Sequence, residues 1–116
     1  MTQTIKGLVA DLRRFAKERD WDQFHSPKNL AAALSVEAGE ILEHFQWLTE
    51  QQSRELTLGK RKEIALELAD VLLYLLRLSD QLDIDLLDAA RRKIKINAKK
   101  YPPHRARGSA KKYTEL

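Results

Sequence analysis

Apolar residues recur every three or four positions along most of this chain, which is the spacing of one face of an α-helix. In the first stretch these residues are Ile5, Leu8, Val9, Leu12 and Phe15. The sequence contains only four Gly and three Pro, so little interrupts the pattern, and the alternation typical of strands is missing. The periodicity therefore predicts an all-α fold of long helices joined by short connections.

Capping residues and prolines separate the predicted helices. The pattern predicts helices over residues 4–19, 27–48 and 60–82, and one from an Asp83 or Asp85 cap to 100. Ser26 and Pro27 suit the N-cap and the first position of the second helix. Residues 49–59 form a connection with room for one short helical turn, and Pro102 with Pro103 ends the last helix.

The charge of the chain is concentrated at its C-terminal end. The net charge is +4, but residues 99–116 contain six basic residues and one acidic residue, which leaves −1 for residues 1–98. A near-neutral body lacks the basic face typical of nucleic-acid-binding proteins, so nucleic-acid binding is not expected. The composition predicts a folded domain over 1–101 and a basic, flexible tail over 102–116.

Several classes of protein are excluded by composition. The sequence has no cysteine, so disulfides and thiolate metal sites cannot form. The N-terminal stretch lacks the apolar core of a signal peptide, and no apolar run approaches the roughly 18 residues that a membrane-spanning helix needs. With 116 residues, the length suits one domain. These features predict a cytoplasmic protein that does not bind membranes.

Two acidic pairs carry the strongest chemical signal, namely Glu37 with Glu40 and Glu67 with Asp70. The members of each pair are three positions apart, which places both carboxylates on one face of a helix. On a helical wheel Glu37 falls inside the apolar stripe of the second predicted helix, and Glu40 lies at the edge of that stripe. Glu67 and Asp70 lie at the edge of the apolar stripe of the third predicted helix. A buried carboxylate is costly unless it is paired or bound to a metal, and oxygen ligands suit Mg²⁺ or Mn²⁺.

Other interpretations of the acids remain open. In a chain with 17 acidic residues, such pairs can arise by chance on solvated helix faces. A carboxylate-bridged di-iron site needs Glu-x-x-His on two helices, but Ile41 stands three residues before His44 and the third predicted helix contains no His. A non-catalytic helical module could also use the acids to hold a structural cation or to pair with a partner.

Some apolar residues lie outside the narrow stripes of the second and third predicted helices. They are Leu42, Leu72, Leu73 and Leu76. A single layer of four helices would leave part of this surface exposed to water. The surplus therefore predicts a homo-oligomer.

The sequence around the acids resembles the MazG-like nucleoside triphosphate pyrophosphohydrolases. The similar strings are RDWDQFHSPKNLAAALSVEAGEILEHFQW, ELADVLLYLLRLSDQLDIDL and KIKINAKKYP, which together span roughly residues 19–102. Within that family, the WDQFH stretch is most similar to the dCTP pyrophosphatase branch. The resemblance implies an all-α bundle of four to five helices, completed by oligomerisation as a homodimer or a homotetramer made of two dimers.

The resemblance also implies a reaction and a set of site residues. The reaction is Mg²⁺-dependent cleavage of dCTP or a modified dCTP between the α- and β-phosphates, which gives a nucleoside monophosphate and pyrophosphate. The positions that match the metal-binding and catalytic acids are Glu37, Glu40, Glu67 and Asp70. Those that match substrate-binding residues are Trp21, Phe24, His25, Asn29, Trp47, Tyr74, Lys95, Asn97, Lys100 and Tyr101, with Lys93 as a further phosphate-contact candidate.

Several of these positions also have ordinary structural explanations. Trp47 at a helix end could fill the core, and Phe24 could hold its loop against the bundle. His25 could be a solvated loop residue. Asn97 could cap a helix, and Tyr74 could pack with its hydroxyl in water. The sequence alone does not choose between these roles and substrate binding.

Overall fold

Helices form the regular structure of residues 3–116, the part of the chain that the computed structural model describes. They are α1 Ile5–Glu18, α2 Pro27–Phe45, α3 Glu50–Arg54, α4 Leu58–Gln81, α5 Leu86–Lys100 and α6 Pro103–Ala106, with 3₁₀ turns Asp22–Phe24 and Tyr113–Glu115. Residues 3–116 contain no β-strand, which confirms the predicted all-α fold. Among these helices none has the length and hydrophobicity of a membrane-spanning segment.

Short polar side chains begin the long helices. Thr4, Ser26, Thr57 and Asp85 each accept a hydrogen bond from the backbone N–H three residues further on. These caps satisfy N–H groups that have no partner within the helix. Ser26 and Pro27 occupy the predicted N-cap and first helical position, and Asp85, rather than Asp83, caps α5.

Two predicted boundaries differ from the structure. Helix α2 ends at Phe45, about three residues early, because the chain turns into α3. Thr49 and Gln52 form a reciprocal capping box that fixes the start of α3. Helix α4 begins at Leu58, two residues early, because the preceding hydroxyl caps it there. Trp47 therefore lies in the connection between α2 and α3 rather than on a helix.

In the unit that ends at Asp83, α4 packs against both α1 and α2. The most deeply buried apolar residues come from these three helices. They are Ala16 on α1, Leu30 on α2, and Ile64 and Leu76 on α4. Full burial of a leucine side chain stabilises a fold by about 1.5–3 kcal/mol, so these residues fix the helices against one another.

The unit that begins at Ile84 contains α5, α6 and the final 3₁₀ turn. The rings of Tyr101 and Tyr113 meet edge to face with centroids 6.0 Å apart, and Lys100 Nζ lies 4.8 Å from the Tyr113 centroid. Pro103 at the first position of α6 favours this helical turn. The predicted domain boundary after residue 101 and the flexibility of the tail stay predictions.

Part of the predicted apolar surplus is exposed. Leu42 is 60% exposed and Leu72 is 38% exposed, and Leu66 adds another exposed apolar side chain. Leu76, in contrast, is 2% exposed and belongs to the core. Only part of the surplus is therefore available to a second copy, because Leu76 packs within the chain.

Candidate metal and nucleotide site

Three carboxylates converge where α2 packs against α4. Oxygen atoms of Glu37, Glu67 and Asp70 all lie within 4.8 Å of one another. Glu37 comes from α2 and the other two from adjacent turns of α4, so helix packing creates the cluster. Glu37 and Glu67 are half-buried, and Asp70 is exposed. Ligand oxygens lie about 2.0–2.6 Å from a bound Mg²⁺ or Ca²⁺, so the spacing of the cluster suits a single divalent cation.

Glu40 lies beside these three carboxylates. Glu40 is half-buried, and it raises the pKa of both Glu37 and Glu67 through hydrogen bonding and charge. The sequence predicts one set of four acids. The structure brings three of them within range of one ion and places Glu40 next to them, so a metal-binding or catalytic role for Glu40 stays a prediction.

The cluster has an excess of negative charge. Burial raises the pKa of Glu37 to about 7, and hydrogen bonding and charge from Glu40 add to the effect. Burial, followed by Glu40, also raises the pKa of Glu67. Among residues 3–116, Glu37 Oε2 and Glu67 Oε2 are buried and have no hydrogen-bond partner. A divalent cation would relieve both the repulsion and the unmet oxygens, so the residues present fit such an ion.

His44 faces the same cluster, although the sequence does not predict it as a site residue. Its Nε2 lies 4.0 Å from a carboxylate oxygen of Glu67, too far for a hydrogen bond. Its Nδ1 is buried and has no partner within the described part of the chain. The spacing of four residues from Glu40 and seven from Glu37 was the available signal, because it places His44 on the same face of α2.

The end of α1 positions Trp21, the first aromatic residue predicted to contact the substrate. The Trp21 N–H donates to the Ala16 carbonyl at 2.9 Å, which closes a Schellman motif. Within the motif, Asp20 adopts the left-handed conformation with φ of 55°. The Trp21 ring then meets the His25 ring edge to face, with centroids 6.2 Å apart. A helix cap thus places two of the predicted residues side by side.

Hydrogen bonds hold the loop between α1 and α2. Asn29 Nδ2 donates to the Phe24 carbonyl at 3.0 Å, so part of the amide predicted to contact the substrate binds the loop itself. Arg77 Nε donates to His25 Nδ1 at 3.1 Å, so His25 is not simply a solvated loop residue. Phe24 is 58% exposed, and Trp21 is also exposed. The loop therefore exposes aromatic rings to solvent, and hydrogen bonds from Asn29 and Arg77 hold it in place.

Trp47 and Tyr74 occupy different surroundings. Trp47 is 86% exposed, so it does not fill the core of this chain. Tyr74 is half-buried on α4, one turn after Asp70 and on the same face. Both positions are compatible with substrate contact, which stays a prediction for each residue.

The remaining predicted substrate residues belong to the unit that begins at Ile84. Lys95, Asn97 and Lys100 are exposed on α5, and Tyr101 is its C-cap. Lys93 is exposed on the same helix. Their contribution to substrate binding stays a prediction.

A second group of charges surrounds Arg77, which sequence reasoning did not identify. Arg77 is 6% exposed and bonds to the carboxylate of Asp22. Its Nη1 lies 3.7 Å from Asp80, which also accepts a hydrogen bond from Arg13 Nε at 2.7 Å. The bond from Arg13 lowers the pKa of Asp80. The available signal was a lone arginine in the apolar run LLYLLRLSD.

Known proteins resemble this chain in sequence and in fold. A model of the MazG-like family matches residues 32–116. dCTP pyrophosphatase 1 from Homo sapiens is 47% identical over 114 residues, covering 93% of this chain and 67% of the human protein. The Bos taurus protein of the same name is 45% identical over 114 residues, covering 93% of this chain and 68% of its own. A solved pyrophosphatase from Archaeoglobus fulgidus is 39% identical with a TM-score of 0.81, covering 88% of this chain and 95% of that one.

Proposed function

Because the chain belongs to the MazG-like family, we propose that it hydrolyses a nucleoside triphosphate between the α- and β-phosphates, releasing a nucleoside monophosphate and pyrophosphate. The observation that carries the proposal is the convergence of Glu37, Glu67 and Asp70. The names of the relatives, dCTP pyrophosphatase 1 and a pyrophosphatase, support the same reaction. A triphosphate needs charge neutralisation and alignment, and an acidic cluster with a bound cation supplies both.

We propose Mg²⁺ as the metal, with Mn²⁺ as a substitute. Glu37, Glu67 and Asp70 would hold the ion, and Glu40 is positioned to join them. All these candidate ligands are carboxylate oxygens, which hard cations prefer. When bound, the ion would neutralise phosphate charge and assist attack by water.

Glu40 is the first candidate for the residue that orients or deprotonates the attacking water. Its carboxylate acts on both Glu37 and Glu67, since it raises the pKa of each. A carboxylate in that position can accept a proton from a water molecule beside the phosphate. A Glu40→Gln variant with unchanged kcat would exclude this role.

We propose dCTP or a modified dCTP as the substrate. The name of the human and bovine relatives, dCTP pyrophosphatase 1, supports this choice. The rings of Trp21, Phe24 and Trp47 are exposed, and exposed aromatic rings can stack on a base. The other candidate substrate contacts are His25, Asn29, Tyr74, Lys95, Asn97, Lys100 and Tyr101.

We also propose that the chain forms a homodimer or a dimer of dimers. Exposed Leu42, Leu66 and Leu72 support this, because an apolar surface of α2 and α4 would be covered by a second copy. Sedimentation that shows only a monomer at micromolar concentration would contradict it. The cytoplasmic location stays a prediction from the sequence.

A panel of the four dNTPs tests the proposed reaction. Each nucleotide is incubated with the protein and Mg²⁺, and the products are separated by ion-exchange chromatography. We expect dCMP and pyrophosphate, with the highest kcat/KM for dCTP, and no turnover in EDTA. Release of orthophosphate would show cleavage of a different bond. No product from any nucleotide would favour the alternative of a non-catalytic helical module with a structural cation site.

A further inference from the structure

The surroundings of Arg77 determine what its guanidinium can do. Asp22 accepts a bond from Nη2, and Asp80 lies 3.7 Å from Nη1. Two carboxylates therefore offset a charge that is costly to bury alone. The third nitrogen, Nε, donates to Nδ1 of His25 at 3.1 Å. Arg77 thus links α4 to the loop through both an ion pair and a contact with an imidazole.

The contact with Arg77 defines the protonation of His25. A guanidinium nitrogen can only donate, so Nδ1 of His25 must be an acceptor that carries no proton. In a neutral imidazole the proton is then on Nε2, which becomes a donor. Burial, followed by the positive charge of Arg77, lowers the pKa of His25, although Asp22 opposes the shift. The ring is therefore held in its neutral form near pH 7.

We propose that Arg77 is a positioning residue that fixes His25 as a neutral ring whose Nε2–H donates to the base of the nucleotide. The inference rests on the proposed function and adds a reason for the choice of base. An N–H donor pairs with an acceptor, and cytosine has acceptors at both O2 and N3. Thymine and uracil have a donor at N3, so a fixed Nε2–H favours cytosine where it meets that atom.

The position of Arg77 on α4 relates His25 to the acidic cluster. Asp70, Tyr74 and Arg77 occupy positions i, i+4 and i+7, so they lie on one face of the helix. Seven residues correspond to about 10 Å along a helix. His25 is therefore anchored to the same face as the acids, at a distance comparable with that between the phosphates and the base of a nucleotide. One rigid helix would align the metal ligands with the base-contacting loop.

The tautomer of His25 tests the proposal in the unmodified protein. ¹⁵N NMR of histidine side chains distinguishes a ring protonated at Nε2 from one protonated at Nδ1 and from a charged ring. The His25 signal is assigned by its loss in a His25→Asn variant. We expect a neutral ring protonated at Nε2 at about pH 7. A ring protonated at Nδ1, or a charged ring, would overturn the proposal.

Two replacements of Arg77 isolate the hydrogen bond. In Arg77→Gln the amide nitrogen occupies the position of Nε and can still donate to His25, whereas Arg77→Met fills the space without a donor. Both variants lose the bonds to the neighbouring carboxylates, so they form a matched pair. We expect Arg77→Met to lose the single-tautomer signal and to raise KM for dCTP about tenfold relative to Arg77→Gln, with kcat much less affected.

Arg13→Gln is a further control, because it removes a partner of Asp80 without contacting His25. We expect it to lower Tm while KM and the His25 signal stay unchanged.

If the native chain releases no pyrophosphate, the proposed function fails while the NMR result stands separately. If the native chain is active but Arg77→Met and Arg77→Gln share the same KM and the same His25 signal, the positioning role fails by itself.

Discussion

Helix α4 carries two groups of charged residues in opposite electrostatic states. Near its middle, Glu67 and Asp70 meet Glu37, and burial together with like charge raises the pKa of Glu37 to about 7. Further along the same helix, the hydrogen bond from Arg13 lowers the pKa of Asp80. The same kind of side chain thus resists ionisation in one group and is held ionised in the other.

The difference separates charges that are balanced within the chain from charges that are not. In the Asp80 group, each carboxylate meets an arginine, so its charges are balanced within the chain and tie α1 to α4. In the acidic cluster, buried oxygens of Glu37 and Glu67 have no hydrogen-bond partner anywhere in residues 3–116. Buried polar atoms are normally satisfied, so the two unpartnered oxygens favour a positively charged ligand at the cluster.

Removal of a central carboxylate should give the largest effect. Glu37→Gln keeps the shape of the side chain but removes a candidate metal ligand. We expect kcat/KM for dCTP to fall by at least about 10²–10³-fold. We expect Tm to stay the same or to rise, because repulsion among the carboxylates decreases. Pyrophosphate release and thermal unfolding measure the two effects.

Glu43→Gln is the matched control, because Glu43 is an exposed acid on the same helix. It should leave activity and Tm unchanged. Full activity in Glu37→Gln would remove Glu37 from the site. An equal loss in both variants would mean that the overall charge of α2, rather than the cluster, controls activity.

The sequence predicted the acidic cluster but not the Arg77 network, and the reason is physical. Helical periodicity reports which residues share a face, so it could bring Glu37 and Glu67 to the seam between two helices. Arg77 meets His25 and Asp22, which are 52 and 55 residues away in the chain. Periodicity contains no information about such distant pairs, so it could not predict which residues Arg77 contacts.

The two ends of α2 differ in how well the sequence predicts them. The start of α2 was predicted because Ser26 and Pro27 act on their own helix. The end of α2 was placed too late, because the capping box of α3 depends on Thr49 and Gln52, whose role is not visible in the apolar pattern of α2. That difference moves Trp47 off the helix and into an exposed connection.

Addition of Mg²⁺ should stabilise the protein more at high pH than at low pH. The raised pKa of Glu37 means that the folded state binds its proton more tightly than the unfolded state. Stability of the metal-free protein should therefore fall as pH rises from the ordinary carboxyl pKa of 4.5 to about 7. Mg²⁺ at about one hundred times its Kd would add about 2.7 kcal/mol. Because protons compete with the ion, the rise in Tm should be larger at about pH 8 than at about pH 5.5.

Thermal unfolding in EDTA and in Mg²⁺ checks this prediction at both pH values. Glu43→Gln should keep the effect of Mg²⁺, whereas Glu37→Gln should weaken it and flatten its dependence on pH. An equal rise in Tm at both pH values would show that Mg²⁺ binds to the protein without competing for protons at the acidic cluster.

Replacement of Asp80, the carboxylate balanced by Arg13 and Arg77, should give a smaller effect, and one on stability rather than on activity. Asp80→Asn removes a charged partner from both Arg13 and Arg77, and we expect a loss of about 1–2 kcal/mol in the free energy of unfolding, since solvent screens the exposed Arg13. Asp80 has a lowered pKa when folded, so its contribution is complete above the ordinary pKa of 3.8 and is lost as pH falls through the folded value. Urea unfolding at about pH 7 should therefore separate the native chain from Asp80→Asn, and unfolding at about pH 3 should bring the two curves closer. A constant difference at both pH values would show that the stabilisation does not depend on the charge of Asp80. Glu37→Gln should not lower Tm, whereas Asp80→Asn should. Together the two variants test whether carboxylate charge destabilises the fold at the acidic cluster and stabilises it at Asp80, as the pKa shifts indicate.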